Sequence, residues 1–161
     1  MDKNTLSDRF DYLTMAHGVT LRAIGSFSDG ELDFRPVPQM RSARELIHHI
    51  YAGERGLAQG VRQGRIEADD PKAAELEMAA MTTVAAAQEF ARSCHQAALD
   101  ALGEMSDAEV ARIVESPYGS FPAWQFFLFA YDEHWHHRGQ LYTYLRLLGK
   151  EPPFLYDYEG N

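Results

Sequence analysis

Cysteine is almost absent from this chain of 161 residues, in which Cys94 is the only one. A single cysteine excludes an internal disulfide and is typical of a reducing compartment. Long apolar runs are also missing, since the longest, residues 126–131, is far shorter than the roughly 20 residues of a membrane-spanning helix. The stretch from Met1 to Phe10 is polar and charged, unlike a secretory signal peptide. These absences predict a cytoplasmic protein with no membrane partner.

Positive charge is scarce as well. The chain has 15 lysines and arginines against 24 aspartates and glutamates, which gives a formal net charge of -9. No run of basic residues offsets this balance, and a surface of this charge repels the phosphates of nucleic acids. We therefore expect no nucleic-acid partner. The length and the 45% of hydrophobic residues suit one compact domain over residues 1–161.

Helical periodicity dominates the chain, and the alternating pattern of strands is nearly absent. Apolar residues recur at steps of three and four positions over about residues 5–24, which predicts a first long helix. A second helix begins at a capping box, in which the Ser42 hydroxyl and the Glu45 carboxylate satisfy each other's backbone amides. Gly60 or Gly64 ends this second helix.

Two further long helices are predicted in the second half. The third begins at Thr82 or Thr83 and ends before Gly103, a residue type that favours helix C-termini. The fourth begins with Ser120 as its N-cap and ends before Gly149. Four long helices with medium connectors predict an all-α protein of the four-helix-bundle type.

The segments between these helices are less regular. Residues 64–71 are predicted to form an acidic loop, which is followed by an alanine-rich stretch from Lys72. The connector over residues 105–119 ends in Ser116-Pro-Tyr-Gly119, which is typical of a turn. Before this turn, residues 108–113 either form a short helix or remain irregular.

Histidine is concentrated in two places, since five of the seven histidines lie in the second and fourth predicted helices. They are His48, His49, His134, His136 and His137. Side chains four or three positions apart lie on the same face of a helix. Glu133 and His137 can therefore bind one ion together, as can His134 and His137, whereas His136 points elsewhere.

A metal ion held by two ligands on one helix needs a third from another, and His48 or His49 is the obvious donor. Three protein ligands leave a position open for water or substrate, which is typical of catalytic rather than structural sites. Imidazole and carboxylate suit Zn, Ni, Fe or Mn, among which the sequence does not choose. The competing interpretation is that these histidines only form a solvated or hydrogen-bonded polar face.

Two motifs carry a resemblance to a known family. The stretch Glu133-His-Trp-His-His-Arg-Gly-Gln-Leu-Tyr-Thr-Tyr-Leu-Arg-Leu-Leu-Gly149, with Pro152-Pro-Phe-Leu-Tyr156 after it, resembles the C-terminal signature of DinB/YfiT-like metalloenzymes. The stretch Ser42-Ala-Arg-Glu-Leu-Ile-His-His-Ile50 resembles the second-helix motif of the same family. The order of helices agrees along nearly the whole chain, although only these two motifs are specific.

The resemblance implies a four-helix bundle, commonly a homodimer, that holds a divalent metal ion. Its ligand on the second helix corresponds to His49, and its last ligand corresponds to His137. Many members have histidine four residues earlier, where this chain has Glu133. Either Glu133 is the middle ligand, which we favour because the spacing is preserved, or His134 takes that role. His48 and His134 are then neighbours of the site, and Gln140 orients His137.

The resemblance also implies a function. We expect a metal-dependent enzyme whose small-molecule substrate includes a low-molecular-weight thiol, with S-transfer or isomerisation ahead of hydrolysis. A cation such as Arg138 or Arg146 could hold a substrate carboxylate. The alternative is a dimeric binding or stress-response protein without catalytic activity, in which the metal only joins two helices.

Overall fold

Six α-helices and one β-hairpin make up the computed structural model, which describes residues 1–159. The helices are α1 (Lys3–Gly25), α2 (Ala43–Gln63), α3 (Pro71–Ala80), α4 (Val84–Gly103), α5 (Asp107–Ala111) and α6 (Ala123–Leu147). The hairpin consists of β1 (Ile113–Ser116) and β2 (Gly119–Pro122), and a 3-10 turn spans Asp29–Asp33. No helix in the described part of the chain is long and apolar enough to span a membrane.

The four long helices pack as the four corners of a bundle. Helix α2 makes its main contacts with α4 and α6, and α1 packs against the same two helices. Helices α1 and α2 therefore lie diagonally opposite each other. The short helix α3 rests on α2, and α5 rests on α6. The all-α prediction is confirmed, with a short hairpin added.

Both predicted ends of α2 and the predicted start of α4 are confirmed, whereas α4 includes Gly103 and has Glu104 as its C-cap. The amide of Glu45 donates to the Ser42 hydroxyl over 3.2 Å, and the Ser42 amide donates to the Glu45 carboxylate over 2.8 Å. Gly64 ends α2 with a φ of 86°, a left-handed conformation that suits glycine. The Thr83 hydroxyl caps the start of α4. The short helix α5 falls within the connector whose structure the sequence left open.

The prediction that Ser120 caps the last long helix is wrong. Ser120 pairs with Glu115 in the hairpin, and the N-cap of α6 is Pro122. The hairpin prevails because Val114 is fully buried and Gly119 takes the φ of 124° that the turn needs. The Ala123 amide then donates to the Arg112 carbonyl over 2.8 Å, which fixes the start of α6.

The buried apolar residues form two clusters with a polar layer between them. One cluster is built around Ile24, Leu46, Cys94 and Leu145, and the other around Leu6, Phe10, Val61, Leu102 and Phe126. Every long helix crosses from one cluster to the other. At the crossing each contributes a buried polar side chain to a set that we call the polar layer: His17, Glu54, His95 and His134.

Candidate metal centre

The packing of α2 against α6 brings three candidate ligands together. His49 comes from α2, and Glu133 and His137 lie one turn apart on α6. Nε2 of His49 is 3.3 Å from Oε2 of Glu133, and Nε2 of His137 is 2.9 Å from the same oxygen. One donor atom from each of these residues, which we call the candidate triad, lies within 4.8 Å of the other two. The structure thus brings together the set favoured from the sequence.

The hydrogen bond between His137 and Gln140 determines what His137 presents to Glu133. Nδ1 of His137 donates to the Gln140 side-chain oxygen over 2.7 Å, so a neutral ring carries its proton on Nδ1. Its Nε2 lone pair then faces a carboxylate oxygen. Two acceptors at 2.9 Å attract each other only through a cation, either a proton or a metal ion. This donor set therefore fits a divalent cation.

The candidate triad is both in the right protonation state and accessible enough to bind a metal ion. Burial lowers the pKa of His49, and the positive charge of Arg41 and the proximity of His137 lower it further, so its imidazole is neutral at pH 7. A neutral imidazole is the form that binds metals. The Glu133 side chain is 53% exposed and that of His49 is 37% exposed, whereas His137 is buried. The site is therefore open on one side.

His134, the alternative middle ligand, points away from the candidate triad. Its ring is fully buried, and its Nε2 lies 2.9 Å from the Thr20 hydroxyl of α1. Because that hydroxyl donates to the Ala16 carbonyl, the Nε2–H of His134 donates to Thr20. The ring belongs to the polar layer, and burial lowers its pKa to about 3. The structure does not bring His134 together with His49.

His48, the predicted neighbour of the site, turns toward α3. Its Nε2 lies 2.9 Å from Glu77, which also receives a hydrogen bond from Arg55, and its ring stacks on Phe90. Through these contacts the His48 side chain holds α3 against α2. His48 contributes instead to the lining of a cavity beside the candidate triad.

That cavity has a volume of about 780 Å³, and we call it the triad cavity. His49 and Glu133 lie at its wall, Arg41 supplies a positive charge, and Phe129 supplies apolar surface. Tyr118, at the hairpin turn, also lines it. The sequence showed this turn as Ser116-Pro-Tyr-Gly119 but gave no sign that it faces the histidines, because the hairpin itself was not predicted.

The polar layer places two further histidines in contact inside the bundle. The rings of His17 and His95 stack with centroids 4.2 Å apart, and Nδ1 of His95 lies 2.7 Å from Glu54. Nδ1 of His17 lies 2.9 Å from the Tyr51 hydroxyl. Burial and the neighbouring imidazoles lower the pKa of His17 to about 2. These residues belong to the interior and not to the candidate triad.

Comparisons with known proteins identify the family to which this helical bundle belongs. The model of the DinB superfamily matches residues 12–141. The chain therefore belongs to the DinB superfamily. No curated protein matches the sequence.

Solved structures show the same fold. A DinB-like protein from Bacillus subtilis superposes with a TM-score of 0.73 at 17% identity, over 92% of this chain and 96% of that chain. One from Bacillus cereus gives 0.73 at 18% identity, over 91% and 94%. A mycothiol-dependent maleylpyruvate isomerase gives 0.66 at 17% identity, over 88% of this chain and 63% of the isomerase. At these identities the similarity concerns the fold.

Proposed function

We propose that His49, Glu133 and His137 bind one divalent metal ion and that the protein is a metal-dependent enzyme. The observation that supports this most strongly is the convergence of three ligand atoms, within 4.8 Å of one another, at the wall of a cavity. Ligands about 2.0–2.2 Å from a zinc-like ion lie a little over 3 Å apart, which agrees with the separations of 2.9 and 3.3 Å.

The half-exposed carboxylate supports catalysis over a structural role for the ion. A closed structural site has four protein ligands, whereas the candidate triad offers three and opens toward the triad cavity. Zn, Ni, Fe and Mn all accept this set of donors. A bound ion of this kind lowers the pKa of a thiol or water that it contacts, which supplies a nucleophile at neutral pH.

The substrate that we propose is a small molecule that reacts with a low-molecular-weight thiol. The thiol sulfur bonds to an electrophilic carbon, and the bond from that carbon to the leaving group breaks. The leaving group departs with the bonding electrons and takes up the proton that the thiol has lost. The similar fold of the mycothiol-dependent isomerase supports S-transfer or isomerisation ahead of hydrolysis. Arg41 is the cation that we propose to hold an anionic group in the triad cavity, because the other two arginines of the lining, Arg55 and Arg65, are paired with Glu77 and Glu67. Arg138 and Arg146 line a separate cavity.

Three further features belong to this proposal. We propose that residues 1–161 act as one domain, that two copies form a homodimer, and that the protein works in the cytoplasm. The first and third features rest on composition, and the homodimer rests on the family resemblance. Size measurement by light scattering tests the dimer separately from the metal.

Metal content is the experiment that tests the site. Untagged protein is grown without added metal, purified without chelator, and analysed by mass spectrometry. We expect about one transition-metal ion per chain, and its loss in the His49→Ala, Glu133→Ala and His137→Ala variants. The exposed neighbour His136 provides the control, because His136→Ala should retain the ion.

Two outcomes would contradict the assignment. The first is folded wild-type protein without metal. The second is loss of the ion in His134→Ala but not in Glu133→Ala, which would make His134 the middle ligand. Retention of metal without thiol consumption across a panel of electrophiles would support the alternative of a non-catalytic binding protein.

A further inference from the structure

A second cavity, of about 930 Å³, lies along the other side of α6. Trp135, Arg138, Tyr142 and Arg146 line it at steps of three and four residues, so they share one face of that helix. The segment over residues 149–155 forms the opposite wall. We call this space the arginine cavity. It has no lining residue in common with the triad cavity.

Three hydrogen-bond donors of this lining have no partner. They are Nε1 of Trp135, a terminal guanidinium nitrogen (Nη1) of Arg138 and the hydroxyl of Tyr142, and none bonds to any atom of residues 1–159. All three atoms are shielded from solvent as well. Buried polar atoms without partners are rare in proteins, since each loses its hydration without compensation. Three donors on one wall of one cavity therefore indicate a missing acceptor.

Arg138 adds a charge to these donors. Its side chain is only 4% exposed, and its guanidinium lies 4.3 Å from the centre of the Trp135 ring. The ionisable groups that surround it are phenols rather than carboxylates, namely those of Tyr12, Tyr51, Tyr142 and Tyr158. Aromatic faces stabilise a cation but do not neutralise it. The buried positive charge therefore lacks an anion in the described part of the chain.

We propose that the arginine cavity binds a small organic carboxylate with an aromatic or apolar body. A small shift of the lining side chains opens the three shielded donor atoms of Trp135, Arg138 and Tyr142 to the cavity, and the carboxylate oxygens accept hydrogen bonds from them. The body packs against the apolar wall of Pro152, Pro153 and Leu155. This site is separate from the proposed metal centre and does not depend on it.

The charge of the lining favours a carboxylate over a phosphate ester. Arg138 is the one buried cation of the lining, since Arg146 is exposed and Lys150 is already paired with Glu31. Glu151 also lies in the lining, where it repels a second negative charge. A monoanion therefore fits better than a dianion, whose recognition usually needs several cations.

Trp135 provides a direct probe of this site. The chain has two tryptophans, so the protein labelled with nitrogen-15 should show two indole N–H signals, which Trp124→Phe assigns. We expect benzoate to shift the Trp135 signal downfield and to leave that of Trp124 in place. Benzyl alcohol, which has the same ring without the charge, should cause no shift, and benzylphosphonate should bind more weakly than benzoate.

Substitutions in the lining test which donors hold the carboxylate. Tyr142→Phe removes one hydroxyl and should weaken benzoate binding about tenfold, and Arg138→Gln should weaken it about a hundredfold. Arg92→Gln removes an exposed arginine outside both cavities and should leave the affinity unchanged. If Arg138→Gln does not fold, Tyr142→Phe alone carries the test, because it keeps the ring.

Three results would overturn the proposal. One is the absence of any benzoate-dependent shift, as expected if a second copy of the chain covers the cavity. Another is equal affinity in Tyr142→Phe and Arg92→Gln. The last is loss of binding in His49→Ala with retention in Tyr142→Phe, which would place the carboxylate at the metal ion instead. Only that last result bears on the metal site, so the two proposals fail separately.

Discussion

The candidate triad and the polar layer contain the same residue types in different arrangements. Both combine imidazoles with a glutamate contributed from packed helices. In the polar layer, His95 has a hydrogen-bond partner on each ring nitrogen, Glu54 on one side and Thr14 on the other. In the candidate triad, Nε2 of His49 and Nε2 of His137 both face the same oxygen of Glu133. The convergence of two imidazoles on one carboxylate oxygen, rather than histidine content, distinguishes the candidate ligands.

Burial accounts for the second difference between the two regions. The side chains of His95 and Glu54 are 4% and 1% exposed, whereas that of Glu133 is 53% exposed. Water can replace lost partners at the candidate triad but not in the polar layer. Substitutions should therefore reduce stability in the polar layer and reduce metal binding in the candidate triad.

The largest expected effect comes from breaking the polar layer. We expect Glu54→Ala to lower the free energy of unfolding by about 3–5 kcal/mol, because it leaves Nδ1 of the buried His95 without a partner. Urea denaturation of metal-free protein measures this effect. Glu133→Ala is the control, and its exposed carboxylate should change the same quantity by about 1 kcal/mol or less. Equal losses of unfolding free energy in the two variants would contradict the proposed difference between the polar layer and the candidate triad.

Metal removal should affect only the candidate triad. With free metal at about a hundred times its dissociation constant, we expect the ion to raise the free energy of unfolding by about 2.7 kcal/mol. This metal-dependent part should vanish in His137→Ala and persist in His134→Ala, even though the second variant is less stable overall. Paired denaturation curves with and without chelator measure it. A metal-dependent part that disappears in His134→Ala would contradict our choice of ligands.

Gln140 should have a smaller effect on the same site. We expect Gln140→Ala to weaken metal binding about 10- to 100-fold, because His137 loses the hydrogen bond that fixes its ring and its proton. Competition with a chromogenic chelator measures the dissociation constant. His136→Ala serves as the comparison on the same helix. If both variants bind metal like the wild type, Gln140 does not orient the ligand.

The last effect concerns pH, and it is the smallest when measured over a single pH unit. Burial lowers the pKa of His17 to about 2 from the usual 6.5. Between these two pH values the imidazole is protonated in the unfolded chain and neutral in the folded protein. His17 therefore contributes stability above about pH 6.5, and this contribution is lost as the pH falls toward 2. We expect His17→Gln to flatten the decline below pH 6 by about 1.4 kcal/mol per pH unit. A slope equal to that of the wild type would contradict this account.

The parts of this structure that the sequence predicted are those with local causes. The capping box of Ser42 and Glu45 and the spacing of Glu133 and His137 depend on residues within one helical turn. The hairpin was missed because its strands are four residues each and its buried residue, Val114, depends on distant partners.

Tertiary packing determines where the side chains lie that spacing alone could not place. His134 lies three residues from His137, so it was as plausible a ligand by spacing as Glu133. Its hydrogen bond to Thr20 comes from α1, more than 100 residues away in the chain, and no local pattern reveals it. Arg138 follows His137 directly, yet a turn of about 100° per residue directs it to another cavity.

The polar layer also constrains how the helices can slide along one another. The four long helices place their buried polar residues at one level, between the same two apolar clusters. If one helix slipped by a single turn, its imidazole or carboxylate would face aliphatic side chains, and its former partners would lose their hydrogen bonds. A bundle with a purely apolar interior has no such penalty. The polar layer thus fixes the axial register of α2 relative to α6, and this register in turn brings His49 level with Glu133.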